Sequence, residues 1–294
     1  MRNLLIAFAA FLILGCGNTK NEDGTTTYKP TFSAENPTCG DAPIIDANSV
    51  QFGSANGAGA GRVVSNQGYK GITQIRAKAD FSNLTSDFVI NTFYMVNNPD
   101  NPSQQPIGDK YCDAGGNTGG GSNCQEIDFF EGNKNVVFQH TMHVGEGSAS
   151  APQNWQYSYS SDSEKCYPNL KPGIGIVSWN GMDVSKEIDI TIDLDSTGMN
   201  MTFSQGDISV QVYTMGSGFG GSKTIDAAKW EESRQQGYWL LLSQWQWDPN
   251  KQPTWAPGSD NKFWDWSCPW GPLCGTNDNY FKVYDIEVDA EGTL

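Results

Sequence analysis

Turn-forming residues punctuate this chain about every ten positions, with only short apolar runs between them, which leaves little for it to build except strands. Glycine, serine, asparagine, threonine and proline supply the punctuation, and long stretches of helical period are missing. Strands are expected over Gly71 to Phe81, Phe88 to Val96, Ile174 to Trp179, Glu187 to Leu194, Met199 to Phe203, Ile208 to Val212, Tyr238 to Trp245 and Tyr280 to Val288. Thr224 to Gln236 alone reads as helix, with Gly237 placed to stop it. The pattern predicts an all-β sandwich without internal repeats.

The N-terminus reads as an export signal. Met1-Arg2-Asn3 is a short cationic start, Leu4 to Leu14 is an apolar run too short to cross a bilayer, and Ile13-Leu14-Gly15-Cys16 has the form of a bacterial lipoprotein cleavage box. Residues 1–16 are therefore expected to be a signal peptide, with Cys16 lipidated. This puts the protein outside the cytoplasm, lipid-anchored to a bacterial membrane or cell surface, or otherwise secreted. Residues 17–38 are polar and are expected to form a flexible linker. Residues 39–294, roughly 255 in number, suit one sandwich domain.

Of seven cysteines, setting Cys16 aside leaves six, an even number that fits an oxidising compartment. Candidate pairs are Cys112 with Cys124, Cys268 with Cys274, and Cys39 with Cys166, among fifteen possible connectivities. Only Cys268 and Cys274 lie close enough to resemble half of a zinc site, and no tight second pair accompanies them. A formal charge of −15 argues against nucleic acid and against an anionic membrane surface. It fits a neutral partner. No serine sits in a nucleophile elbow, and the glycine-rich segments Gly53 to Gly61 and Gly115 to Gly121 lack the ending of a phosphate cradle and read as loops.

Chemistry concentrates in Cys124-Gln125-Glu126-Ile127-Asp128-Phe129-Phe130-Glu131-Gly132-Asn133, which sets three carboxylates in a segment otherwise built as a half-buried strand. Glu126 and Asp128 are two apart and share a face, with Ile127 pointing to the core. Glu131 would point the opposite way in a regular strand. One extra residue in a bulge at Phe129-Phe130 would return it to the side of the other two. Two carboxyl groups on one cleft wall are what glycoside hydrolysis needs, and a third between them can raise the pKa of a neighbour by like-charge repulsion. The plain alternative is an acidic solvent-facing strand.

Glu-Ile-Asp-Phe-Phe-Glu-Gly-Asn, followed by Asn135 and then Gln139-His140-Thr141-Met142-His143, resembles the signature of glycoside hydrolase family 16, the laminarinase and mixed-linkage β-glucanase group. Tyr111-Cys112-Asp113-Ala114 and Leu240-Leu241-Leu242-Ser243-Gln244-Trp245 look like family 7 cellulases of the same clan. The resemblance covers residues 124–145 closely and 40–290 loosely. It implies a concanavalin-like β-jelly-roll with a concave substrate cleft and a retaining mechanism. Glu126 would be nucleophile, Asp128 the assisting residue and Glu131 acid/base. No cofactor is expected, although a structural calcium ion is compatible with such a scaffold, and the protein is expected to be a monomer.

Histidine and tryptophan add candidate substrate contacts. His140 and His143 are three apart on an expected strand, so they face opposite ways and cannot share a metal. Gln139, Thr141 and His143 form the more polar face, which makes His143 and Gln139 the candidates beside the carboxylates. Trp239 sits in an apolar run suited to burial. Trp245 and Trp247 precede Asp248-Pro249, and with Trp255 they are candidates to stack on pyranose rings. The function expected is endo-acting hydrolysis of a neutral β-glucan, β-1,3 or mixed β-1,3/1,4. A non-catalytic carbohydrate-binding lipoprotein and a transglycosylase on the same scaffold are the alternatives.

Overall fold

The computed structural model describes residues 18–34, 42–53, 61–83, 89–97, 101–106, 125–132, 139–144, 182–183, 186–216, 227–246 and 280–294. Fifteen strands, all paired antiparallel, and one helix make up the described elements. The first sheet contains β1 (Thr19–Lys20), β2 (Thr26–Tyr28), β4 (Ile44–Asp46), β5 (Ser49–Phe52), β7 (Tyr69–Asn83), β11 (Ile188–Asp195), β12 (Gly198–Gln205), β13 (Ile208–Gly216) and β15 (Tyr280–Thr293). Its order is β1-β2-β15-β7-β11-β12-β13, with β5 also on β15 and β4 on β5. The second sheet runs β10 (Gln139–Val144), β9 (Gln125–Gly132), β8 (Val89–Val96), β14 (Trp239–Gln246), β6 (Gly61–Ser65) and β3 (Phe32–Ala34). The architecture is the all-β sandwich expected, and the strand at 174–179 falls outside the described residues.

Alternation of side chains explains why the sheets pair face to face. Along β11, Ile188, Ile190, Ile192 and Leu194 are buried while Asp189 and Asp195 are exposed, a strict period of two. One core then joins Phe93, Met95, Ile127, Leu240 and Leu242 of the second sheet to Ile75, Ile190, Met201, Phe281 and Val288 of the first. Phe130 spans the layers, its ring edge-on to Phe281 with centroids 5.4 Å apart.

β15 has two neighbours on one side because its backbone breaks midway. Residues Phe281 to Tyr284 pair with β5 and Val288 to Ala290 with β2. Between them Asp285 takes φ 50°, and its N–H donates to Asn48 O at 3.0 Å. Left-handed backbone is rare outside glycine and is best tolerated by Asn and Asp.

One expectation fails over most of its length. Residues 17–38 were expected to be a flexible linker, yet residues 19–34 supply β1, β2 and β3. Phe32 is buried in the core, and Thr27 Oγ1 donates to Asp289 Oδ1 at 2.6 Å on β15. The segment is polar but threonine-rich, and β-branched residues suit a pleated edge.

The helix α1 (Ala227–Gln236) buries Trp230, whose indole donates to Asp195 O at 2.6 Å, and Arg234, which donates to Ile72 O of β7 at 2.9 Å. Gly237 ends it with φ 97°, its N–H bonding Ser233 O at 3.1 Å. An added Cβ there would lie 2.9 Å from Tyr69 O, so glycine is required on two counts.

Candidate active site

The acidic strand carries the bulge its spacing predicted. Against β8, Phe93 pairs with Phe130 and the next partner, Tyr94, pairs with Asp128, so Phe129 is the extra residue. β10 shows the same offset, Gln139 opposite Glu131 and Thr141 opposite Asp128. Phe129 and Phe130 are both fully buried, and both contact the Phe93 ring, at centroid distances of 5.0 and 6.1 Å. Two consecutive aromatics enter one core only if the strand bulges between them. The bulge thereby sets the position of Glu131 in the ladder.

Three rungs cross the face of the second sheet that lies away from the main core. The first runs Trp239, Val96, Glu126, His143 across β14, β8, β9 and β10. The second runs Val64, Leu241, Tyr94, Asp128, Thr141, starting on β6. The third runs Arg62, Ser243, Thr92, Glu131, Gln139. The register sets Glu126, Asp128 and Glu131 on three successive rungs of β9, with His143, Thr141 and Gln139 at the paired positions of β10. Trp245 pairs with Ile90, one rung beyond Glu131 along β14.

Polarity changes along the first two rungs. At the β6 and β14 end, Val64, Leu241, Val96 and Trp239 form a small apolar cluster with Tyr94, separate from the main core. Trp239 donates its indole N–H to Pro102 O at 3.0 Å. Thr92 Oγ1 and Ser243 Oγ share a buried hydrogen bond at 2.5 Å. Glu126 and Asp128 are themselves buried, with 8% and 2% of their surface accessible, so their charges sit in a medium where neighbours act strongly.

Tyr94 reports that field. Burial pushes its phenol well above the ordinary range, the Glu126 charge pushes it further, Arg62 opposes both by charge and by a hydrogen bond to the hydroxyl, and Asp128 adds a smaller upward push. The hydroxyl therefore stays protonated and stands among one cation and two carboxylates.

The start of β9 is clamped from behind. The Gln125 N–H donates to Asn97 Oδ1 at 2.6 Å, its side-chain amide donates to Ser233 Oγ of α1 at 2.7 Å, and Tyr238 Oη donates to its Oε1 at 2.7 Å. All four residues are buried. A buried hydrogen-bonded network restricts the backbone to one geometry, here one residue away from Glu126.

The structure thus brings together Glu126, Asp128, Glu131, Gln139 and His143 by register and places Trp245 on the same sheet. Trp247, Trp255, Cys16, Cys39, Cys112, Cys124, Cys166, Cys268 and Cys274 lie outside the described residues. Tyr94, Arg62, Thr92 and Ser243 were not anticipated from sequence. The period-two alternation Thr92, Tyr94, Val96 against Phe93, Met95 was the available signal for the first and third of them. Among the described residues, no group of three or more His, Cys, Asp or Glu could hold a metal ion.

No protein-family model matches the chain, and no curated protein does. Among solved structures it is similar to endoglucanase I complexed with cellobiose, at TM-score 0.49 and 11% identity over 81% of this chain and 75% of the other. It is also similar to LamAcat from Zobellia galactanivorans, at TM-score 0.45 and 10% identity over 93% and 94%. Porphyranase B from the same organism gives TM-score 0.43 and 10% identity over 93% and 87%. Likeness at this level does not assign chemistry.

Proposed function

We propose that this chain is an exported, retaining, endo-acting glycoside hydrolase that cleaves a neutral β-glucan, β-1,3 or mixed β-1,3/1,4. The observation that supports the reading is the bulged register of β9, which sets Glu126, Asp128 and Glu131 on successive rungs, with the backbone of His143 paired opposite Glu126. In this cycle Glu126 attacks the anomeric carbon while Glu131 protonates the leaving oxygen. Glu131, now a base, then takes a proton from water, which releases the glycosyl group from Glu126. Asp128, between them on the strand, disfavours a second negative charge nearby and so helps hold one proton on the pair. His143 and Gln139 bind substrate hydroxyls, and Trp245, Trp247 and Trp255 stack on sugar rings. The carboxyls of Glu126 and Glu131 would lie about 5 to 5.5 Å apart for a retaining enzyme.

The test is reducing-sugar release from laminarin, barley mixed-linkage glucan, xyloglucan and soluble cellulose by the full chain, with Glu126→Gln alongside. Cleavage of one glucan that disappears in the variant supports the reading and selects the linkage. Binding to one of them without any cleavage would instead favour a carbohydrate-binding lipoprotein. Enlarged products in place of shortened ones would indicate transglycosylation.

A further inference from the structure

We propose that the lipid expected on Cys16 seats this domain edge-on against a membrane, through the flank built by β1, β2 and β3, with the acidic strand β9 on the side facing away. This seating rests on the lipoprotein reading of Ile13-Leu14-Gly15-Cys16 and not on the hydrolase reading.

Chain length sets the first limit. A flexible linker over residues 17–38 would let an anchored domain tumble, but β1 starts at Thr19, so only Gly17 and Asn18 lie between Cys16 and an ordered strand. Three residue steps span at most about 10 Å when fully extended. Whichever side of the domain holds Thr19 is therefore kept within about a Debye length of the lipid headgroups, where surface charge is still felt.

Nor can the first hairpin swing on its own. β1 pairs with β2, and β2 with β15. Thr27 Oγ1 donates to Asp289 Oδ1 at 2.6 Å, Lys29 Nζ lies 3.7 Å from Glu287 Oε1, and the Tyr28 ring packs on Tyr69 with centroids 5.5 Å apart. Only Lys29, Pro30 and Thr31 separate β2 of the first sheet from β3 of the second. Pro30 is buried, and Asn66 donates to Thr31 twice, from its backbone N–H to the carbonyl at 2.8 Å and from Nδ2 to Oγ1 at 3.0 Å. β1 and β3 are terminal strands of their sheets, so residues 19–34 make one fixed flank along both.

Charge decides which way the domain turns about that point. On the flank, exposed Lys20 and Lys29 balance exposed Glu22 and Asp23, a neutral patch in a chain of formal charge −15. The outer face of the first sheet, the other surface within reach of the anchor, exposes Glu187, Asp189, Asp195 and Asp285. Its cations Arg76 and Lys78 are already paired with carboxylates. A bilayer containing anionic lipid repels that face and tolerates the flank. Sheet order then fixes where the acids stand. β9 lies four strands from β3 in the second sheet, and at about 4.8 Å per strand it stands roughly 19 Å farther from the bilayer. An edge-on domain turns β9 and β10 to the medium, so a polymer reaches the acids without meeting the membrane.

The experiment is energy transfer from the full chain, lipidated in a bacterial host, to acceptor-labelled headgroups of phosphatidylethanolamine and phosphatidylglycerol vesicles. A donor dye is placed through an unnatural amino acid at Ala34 on β3 or at Ser209 on β13, both exposed, β13 being the strand at the far end of the first sheet from β1. In wild type, transfer from position 34 is expected to exceed that from position 209 several-fold. A spacer of about fifteen Gly and Ser residues between Asn18 and Thr19, long enough to free the domain, should bring the two nearly level. Equal transfer in wild type overturns the proposal. A contrast that survives the spacer overturns it too, because the short tether would not be what seats the domain. Cys16→Ser controls for anchoring: if it leaves membrane retention unchanged, the lipoprotein reading falls and the seating falls with it. Glucan hydrolysis by the same vesicles keeps the two readings apart. Contrast without cleavage upholds the seating and counts against the hydrolase, whereas cleavage with equal transfer overturns the seating alone.

Discussion

Tyr238→Phe removes one oxygen atom from the clamp behind the acidic strand, and the cost can be worked from the contacts. The lost donor leaves Gln125 Oε1, formerly bonded at 2.7 Å, as a carbonyl in a site where Gln125 is 4% and Tyr238 0% accessible. A buried acceptor left unsatisfied costs about 1–3 kcal/mol. The phenyl ring fills the same space, so no cavity term is added. An expected loss of about 2 kcal/mol would lower Tm by roughly 4–8 °C for a domain of this size. Gln125→Met costs a similar amount for a different reason: it removes the acceptor of the Tyr238 hydroxyl and the amide donor to Ser233 Oγ together.

The decisive quantity is the coupling between the two substitutions. Once Gln125 is methionine, the tyrosine hydroxyl has lost its amide acceptor and keeps only Ser233, so removing it should cost far less than in wild type. The double variant should therefore be about as stable as Gln125→Met alone, giving a coupling energy of about 1–2 kcal/mol. Urea unfolding measures it, provided that midpoints move while the m-value holds. If Tyr238→Phe costs the same in both backgrounds, the hydrogen bond contributes nothing and the clamp argument is wrong.

Deleting residues 1–34 removes three strands that a tether would not contain, together with Phe32 from the core and the Thr27 to Asp289 hydrogen bond. Burial of one phenylalanine is itself worth about 1.5–3 kcal/mol, so circular dichroism should show a Tm fall of at least several degrees; an unchanged Tm would restore the linker. Glu231 provides a pH test, because hydrogen bonds from Arg234 first, and then Gln235, hold its carboxyl below the usual value. A depressed pKa contributes stability that is complete above the unfolded carboxyl value near 4.3 and is lost as pH falls through the folded one. Glu231→Gln should therefore be less stable than wild type at pH 7, with the gap closing below about pH 4. A gap that persists to pH 3 would count against the ion pair.

Local pattern disclosed whatever a strand could state by itself. Ile188, Ile190, Ile192 and Leu194 alternate so strictly with polar residues that β11 is readable without a partner. The bulge was readable for a different reason: Glu126, Asp128 and Glu131 can share a face only if one residue is extra, and two adjacent phenylalanines mark where. What escaped depends on distant pairing. Thr26, Thr27 and Tyr28 become a strand because β15 offers them an edge across 262 residues of sequence, and nothing in their own composition says so. Arg62 adjoins a glycine-rich segment that reads as a loop, so its approach to Tyr94 appears only when β6, β14 and β8 are laid side by side.

That lateral order also explains how two buried acids, Glu126 and Asp128, are tolerated on neighbouring rungs. Like charges two residues apart repel, and burial strengthens the repulsion. A site of this kind persists only where the surroundings over-determine it. Here the determination is unequal across the sheet. On the β14 side the first two rungs are apolar and fix Val96 and Tyr94 by packing; on the β9 side they carry Glu126 and Asp128, and behind β9 the Gln125 network fixes the backbone from the inner face. Packing on one flank and hydrogen bonds behind leave the carboxylates little freedom to relax away from one another. Groups that cannot relax keep their electrostatic differences, and it is a maintained difference between two glutamates that acid/base hydrolysis would require.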